Sequence, residues 1–257
     1  MKAILCKTMS AVLMGIISMV FTSCQEETYQ REEENNQNIV GKSVKSITIN
    51  DTDVISFEYN SQGQLTYVSD GYYNGKYSYQ YYTDSVVVII KYTSYYGEEH
   101  QIQLKYYLED ERVIKAETED GVHFIDYDNN GFVSNVRNDW RNVTYTYREG
   151  NMVEAKEGDK GVIATYSEYS NKANICLNGI LSPEWPLDIN DDIDDMVFIP
   201  WVKTFGTYSN NLCTNYKTYG FESYNTVDEN ISYMFDKDGY ITQITTEDRD
   251  YKIAYYE

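Results

Sequence analysis

From Lys42 onward, apolar residues recur at alternate positions in short runs, and turn residues end each run before it lengthens. Val44 to Ile49, Tyr77 to Tyr82, Ser85 to Tyr92, Gln101 to Leu108 and Tyr251 to Tyr255 all carry this period, which is that of a half-buried strand. No window beyond residue 41 carries a helical stripe with caps. The pattern predicts an all-β fold: a meandering antiparallel sheet of repeated hairpins, curved or partly barrel-like.

One element recurs. Phe57-Glu-Tyr59-Asn60-Ser-Gln-Gly63-Gln-Leu65-Thr-Tyr-Val68 returns as Ile125-Asp-Tyr127-Asp128-Asn-Asn-Gly131-Phe-Val133-Ser-Asn-Val136, and again as Tyr233-Met-Phe235-Asp236-Lys-Asp-Gly239-Tyr-Ile241-Thr-Gln-Ile244. Weaker copies run from Leu108 to Ile114 and from Tyr147 to Val153. Each copy reads as strand, tight turn, strand. An Asn or Asp opening a type I turn accepts a bond from the backbone two residues on, and the Gly takes the positive φ that realigns the strands. The last apolar position, Val68, Val136 or Ile244, falls out of parity. Either a second bulge follows, or both sheet faces are partly covered.

In these residues the chain resembles the YD-repeat-like domains of bacterial secreted proteins and surface lipoproteins, over roughly residues 44–170 and 229–257. The resemblance implies a curved hairpin meander and transfers no catalytic residue. Residues 177–228 read as an insertion. Its first part, 177–205, holds all three prolines with Trp185 and Trp201, and 206–228 is rich in Tyr, Asn and Thr, expected to form a polar excursion.

The N-terminal run differs in kind. Lys2 and Lys7 precede an apolar stretch, Met9 to Phe21, that is too short to span a bilayer. Phe21-Thr22-Ser23-Cys24 resembles a bacterial lipobox, and Gln25-Glu26-Glu27 resembles the acidic export tag of Bacteroidetes-type surface lipoproteins. That likeness implies a signal peptide over 1–23, lipidation at Cys24, and an outer-membrane lipoprotein at the cell surface or facing the periplasm. Residues 24–41 are polar and acidic without periodicity, a disordered tether on the order of 20–25 Å long. The β-rich domain then covers 42–257.

Charge narrows the partners. The chain carries a formal charge of −20, and loss of Lys2 and Lys7 with a signal peptide would make it −22. Such a surface repels nucleic acid and excludes it as a partner. The 28 tyrosines against 3 prolines point to strands with much half-buried surface. With Cys6 in the signal and Cys24 lipidated, Cys176 and Cys213 remain. They form either a disulfide, contributing roughly 3–4 kcal/mol on the chain-entropy model, or two separately buried thiols.

Candidate chemistry is sparse. Asp126-x-Asp128-x-Asn130-Gly131 matches the first half of an EF-hand loop, but Arg137 stands where the bidentate glutamate belongs, so it reads as a hairpin turn. The run with Asp188, Asn190, Asp192 and Asp194 is the better calcium candidate, against the plainer reading of a solvated acidic segment. No other cofactor is expected. Two histidines, His100 and His123, exclude a three-histidine zinc site, and no nucleophile elbow or phosphate loop occurs. Trp185, Trp140 and Trp201 are the candidate ligand-binding residues, as platforms on which sugar rings stack.

The first functional reading is a non-enzymatic, surface-tethered module that binds or scaffolds an extracellular glycan or an outer-membrane partner, held to the membrane through its lipid. A hydrolase of sugars or peptides using acids of 177–205 is the second, and a purely structural assembly subunit the third. An outer-membrane barrel is disfavoured, because its strands run roughly 9–11 residues with an apolar outer face, whereas these carry Lys91, Lys105 and Glu117.

Overall fold

The computed structural model describes residues 42–71, 74–94, 96–118, 121–170, 172, 209–221 and 226–257. They form one nearly closed, barrel-shaped antiparallel sheet, with no helix among the described residues. The strands are β1 (Val44–Ile49), β2 (Asp53–Tyr59), β3 (Leu65–Asp70), β4 (Gly75–Tyr81), β5 (Ser85–Thr93) and β6 (Glu99–Glu109). Then come β7 (Arg112–Thr118), β8 (Gly121–Tyr127), β9 (Val133–Arg137), β10 (Asn142–Arg148), β11 (Asn151–Glu157) and β12 (Lys160–Ser170). The last are β13 (Asn211–Tyr219), β14 (Asp228–Asn230), β15 (Ser232–Phe235), β16 (Ile241–Thr245) and β17 (Asp250–Tyr255). Asn211–Tyr219, expected within the polar excursion, is thus a wall strand, whose buried Leu212 and Cys213 alternate poorly but whose Thr, Asn and Tyr fit a half-buried surface.

Each strand pairs with its sequence neighbour, and the meander returns on itself where Ile47 of β1 faces Ile55 of β2 on one side and Ile253 of β17 on the other. β14 and β15 flank Ile231 and change partners there. β14 pairs with β13, β15 pairs with β16, and the Ile231 N–H donates to the Thr214 carbonyl at 2.9 Å.

The repeated hairpins fold as their turn residues require. Oδ1 of Asn60 accepts from the N–H groups of Gln62 and Gln64, and Asp128 and Asp236 repeat this with Asn130 and Phe132 and with Asp238 and Tyr240. Gly63, Gly131 and Gly239 close the turns at φ of 76°, 84° and 80°, where a Cβ would be strained. The parity puzzle resolves as a second bulge. Tyr59 faces Leu65 but Glu58 faces Tyr67, so Thr66 is the extra residue and both Leu65 and Val68 point inward. Ser134 and Thr242 are the corresponding extras in the other two copies. The weaker copies share the bulge but turn on positive-φ pairs, Asp110-Glu111 and Glu149-Gly150.

The bulges give three of the tyrosines a role. A bulge takes a carbonyl out of the ladder, and a tyrosine on the next strand satisfies it. Tyr81 donates to the Leu65 carbonyl at 2.9 Å, Tyr127 to Val113 at 2.8 Å and Tyr255 to Ile241 at 2.9 Å. Each ring lies half-buried while its hydroxyl is bonded at the margin. Burial pushes the Tyr81 hydroxyl up to about 12.

A ring of this many strands can enclose a water-filled bore. Here the inward side chains form one continuous apolar cluster, drawn from every strand except the short β14 and β15, which supply Ile231 between them. Phe57, Leu104, Tyr106, Met152 and Ile244 are fully buried within it. Many outward positions are polar or charged, Glu58, Lys76, Gln101, Asp126, Lys156 and Lys217 among them, interspersed with exposed Val54, Val122, Phe124, Ile163 and Met234. Apolar inside and charged outside is the reverse of a membrane-spanning barrel.

The up-and-down path also sorts the connections between two rims. The chain enters at Lys42 on the rim that carries the Asn60, Asp128 and Asp236 turns, the end of β17, and the departure at Ser170 and return at Ser209. The opposite rim carries the turns around Asp51, Tyr96, Trp140, Asp159 and Asp248. Across the entry rim, Lys42 Nζ bonds Asp236 Oδ2 at 3.1 Å, and Lys172 Nζ bonds the Asp238 carbonyl at 3.1 Å.

Candidate functional site

Besides the change of partners at Ile231, the wall is irregular around β11 to β13, and a cleft lies there. The β11–β12 ladder runs from Glu157 opposite Lys160 to Glu154 opposite Ile163 and stops. Beyond that point β12 stays paired with β13 through two register shifts, between Thr165 and Tyr166 and between Tyr166 and Ser170, ending with Ser170 opposite Asn211. Ser209, Asn210 and the start of β13 fill the gap beside β11 with side-chain bonds and a single backbone bond in place of a ladder. Met152 N–H donates to Ser209 Oγ at 2.9 Å, Asn210 N–H to the Gly150 carbonyl at 3.0 Å, and Asn211 N–H to Asn151 Oδ1 at 2.9 Å. Asn151 Nδ2 returns a bond to Asn211 Oδ1 at 3.0 Å.

The two amides floor a cleft of about 750 Å³ whose walls include Arg148, Glu149, Glu154, Ile163 and Glu168. Its volume lies in the range of small-molecule sites, roughly 300–1,000 Å³. Ile163, half-exposed, gives it an apolar wall, and amides, carboxylates and one guanidinium give it donors and acceptors. Glu154 is oriented by the Tyr219 hydroxyl at 2.6 Å. Desolvation, then the bond to Glu154, pushes that hydroxyl up to about 12, so it stays a donor at neutral pH. The arrangement can hydrogen-bond a polyhydroxylated molecule from several sides.

Of the residues singled out from sequence, Trp140 stands at the β9–β10 tip and is 88% exposed. The tip is ordered by Asn138 Oδ1, which accepts from the N–H groups of Trp140 and Arg141, and by the Arg141 fork on Glu157 at 3.0 and 2.9 Å. Trp140 is on the rim opposite the chain entry, whereas the cleft lies towards the entry rim, so the two do not form one site. Trp185, Trp201, Asp188, Asn190, Asp192, Asp194, Cys176 and Cys24 lie outside the described residues; Cys213 is buried in the core. Asp128 Oδ1 accepts from the turn N–H groups of Asn130 and Phe132, while Asp126, on the outer face, lies 3.4 Å from Arg137 Nε. Among the described residues no three His, Cys, Asp or Glu side chains converge to hold a metal.

The sequence reading missed the cleft because no motif makes it. It arises where two strands separate, and the local trace is Val153, an extra residue in the β10–β11 pairing.

The fold defines a class: an up-and-down β-barrel with a filled interior. Solved structures with a similar fold include two porin-like proteins. A porin-like protein from Bacteroides uniformis aligns with a TM-score of 0.54 at 16% identity, over 83% of this chain and 95% of that one. A porin-like protein from Bacteroides vulgatus aligns with a TM-score of 0.55 at 13% identity, over 83% of this chain and 99% of that one. At this identity the likeness is one of fold. No protein-family model and no curated relative matches the chain, so the YD-repeat likeness rests on the hairpin motif alone.

Proposed function

We propose that the chain is an envelope lipoprotein of a Bacteroidetes-type bacterium, anchored through Cys24 and the 24–41 tether, whose barrel binds an extracellular ligand without catalysis and conducts nothing. The observation that carries this reading is the polarity of the wall: apolar side chains fill the interior and charged residues are interspersed over the whole outer face, which suits neither a water-filled pore nor a uniformly apolar lipid-facing surface. The porin-like neighbours support an outer-membrane or cell-envelope setting for such a barrel. The cleft is the ligand site, and its hydrogen-bonding lining with one apolar wall fits a glycan.

Two measurements test the reading. Planar-bilayer recordings of the purified chain give no conductance, and the unlipidated chain stays soluble without detergent; stepwise conductance, or a need for detergent, overturns the proposal. On a glycan array, a retained sugar is released by Arg148→Ala together with Glu149→Ala and is recovered unhydrolysed. Turnover of the retained sugar would favour the hydrolase reading instead.

A further inference from the structure

The outer face of β3 to β6 is an anomaly in so acidic a chain. From Tyr67 to Lys105 its outward positions hold no carboxylate except Glu99 at the far rim, although acids outnumber bases 41 to 21 in the whole chain. Lys76 of β4 and Lys91 of β5 stand directly opposite each other, both exposed, and neither has a carboxylate within ion-pair distance among the described residues. Like charges so placed destabilise a sheet. Elsewhere on the wall some cations are answered, Lys115 by Glu117 at 2.7 Å, Lys217 by Asp228 at 2.9 Å and Arg141 by Glu157, while others such as Lys156 are not among the described residues; the direct opposition of two lysines is what sets this face apart.

The rest of the face mixes hydrogen-bonding groups with Val87 and Ile89, half-buried at the outward positions of β5. Gln101 lies opposite Lys91, Gln103 lies one row along, and Tyr67 and Lys105 mark its two sides. Lys105 is seated over the Tyr107 ring at 4.5 Å from its centroid, which holds its ammonium in place. Four strands span about 14 Å, with amides, hydroxyls and the two aliphatic residues between the ammonium groups of Lys76, Lys91 and Lys105, the last of which faces Glu117 across the β6–β7 ladder.

We propose that this face binds a linear, carboxylate-bearing polysaccharide, its uronate groups set against Lys76, Lys91 and Lys105 and its hydroxyls against Gln101 and Gln103. A polymer with regularly spaced charges answers the opposed lysines, and its rings carry the hydroxyls that the amides need. The net negative charge of the chain does not forbid this, because screening over about 8 Å at physiological salt leaves the local sign decisive. The inference rests on the reading of the chain as a glycan-binding module and adds a second, charge-selective surface to it.

Affinity electrophoresis of the full chain in gels containing polygalacturonate, or the same polymer fully methyl-esterified, is the test. The acid form retards the chain and the ester does not. K76S with K91S lowers the association constant about tenfold, while the melting temperature of the free variant is unchanged or raised, since a repulsion has been removed. Equal retardation by both polymers, no retardation by either, or retardation untouched by the double substitution each overturns the proposal. Retardation lost only on substitution of Arg148 and Glu149 also overturns it but leaves the cleft reading standing.

Discussion

The wall from β1 to β9 and the wall from β11 to β13 use the same residue types and the same up-and-down connectivity, yet only the first is regular. In the first, a turn of a few residues joins each strand to the next, and the β2–β3 and β6–β7 bulges are each met by a tyrosine one strand away. In the second, β13 finds its place after the chain has left at Ser170 and returned at Ser209, and side chains do the work of rungs. Local turn chemistry produces a smooth wall; a long connection lets the wall open and leaves a cleft.

The largest test of this contrast removes the core that both walls share. Phe57→Ala, at a position 1% exposed, is expected to cost about 3–5 kcal/mol in urea unfolding. Next, Ser209→Ala strands the buried Met152 N–H and should cost about 1–3 kcal/mol. An effect below a few tenths would show that the side-chain rung is idle. In the regular wall, Gly63→Ala meets no atom within 4 Å, so its expected cost of about 1–2 kcal/mol is purely one of positive φ.

Two tyrosine substitutions should move stability in opposite directions. Tyr255→Phe loses its bond to the Ile241 carbonyl and about 0.5–1.5 kcal/mol. Tyr79 is buried with no hydrogen-bond partner for its hydroxyl, so Tyr79→Phe is neutral or stabilising in the same assay. The smallest effect is electrostatic. The Tyr240 N–H, and after it Lys42, hold Asp236 below the ordinary carboxylate range. Its contribution is therefore present above the unfolded pKa and lost as pH falls through the lower folded one. Acid titration of stability should be shallower in Asp236→Asn. Buried tyrosines act at the other end: with Tyr81 at about 12, stability falls as pH rises from the ordinary phenol value towards 12, and less so in Tyr81→Phe.

What the chain disclosed by itself follows the same division. The Asn60, Asp128 and Asp236 hairpins were legible because each is decided within a dozen residues, by an acceptor side chain and a glycine. The closing pair β1–β17 was not, since Ile47 and Ile253 carry no mark that they will meet. Nor was the choice between the two bulge readings, which depends on which face the opposing strand presents. The place of β13 was misread because Asn, Thr and Tyr serve a loop and a wall strand equally well. The cleft was invisible for the same reason, being a relation between strands. Trp140 was visible as a residue, but its isolation on the far rim from the cleft depends on the order of the strands.

The pairing of β1 with both β2 and β17 also sets a timetable. β1 is the first strand available to the folding chain and among the last to be completed, because its second edge stays bare until residues 250–255 arrive. Until then the sheet has two open margins, each able to recruit a strand from another molecule. Contacts of such high sequence separation form slowly. A chain shortened by its last strand should therefore fail by aggregating through that seam, with most of its hairpins already formed.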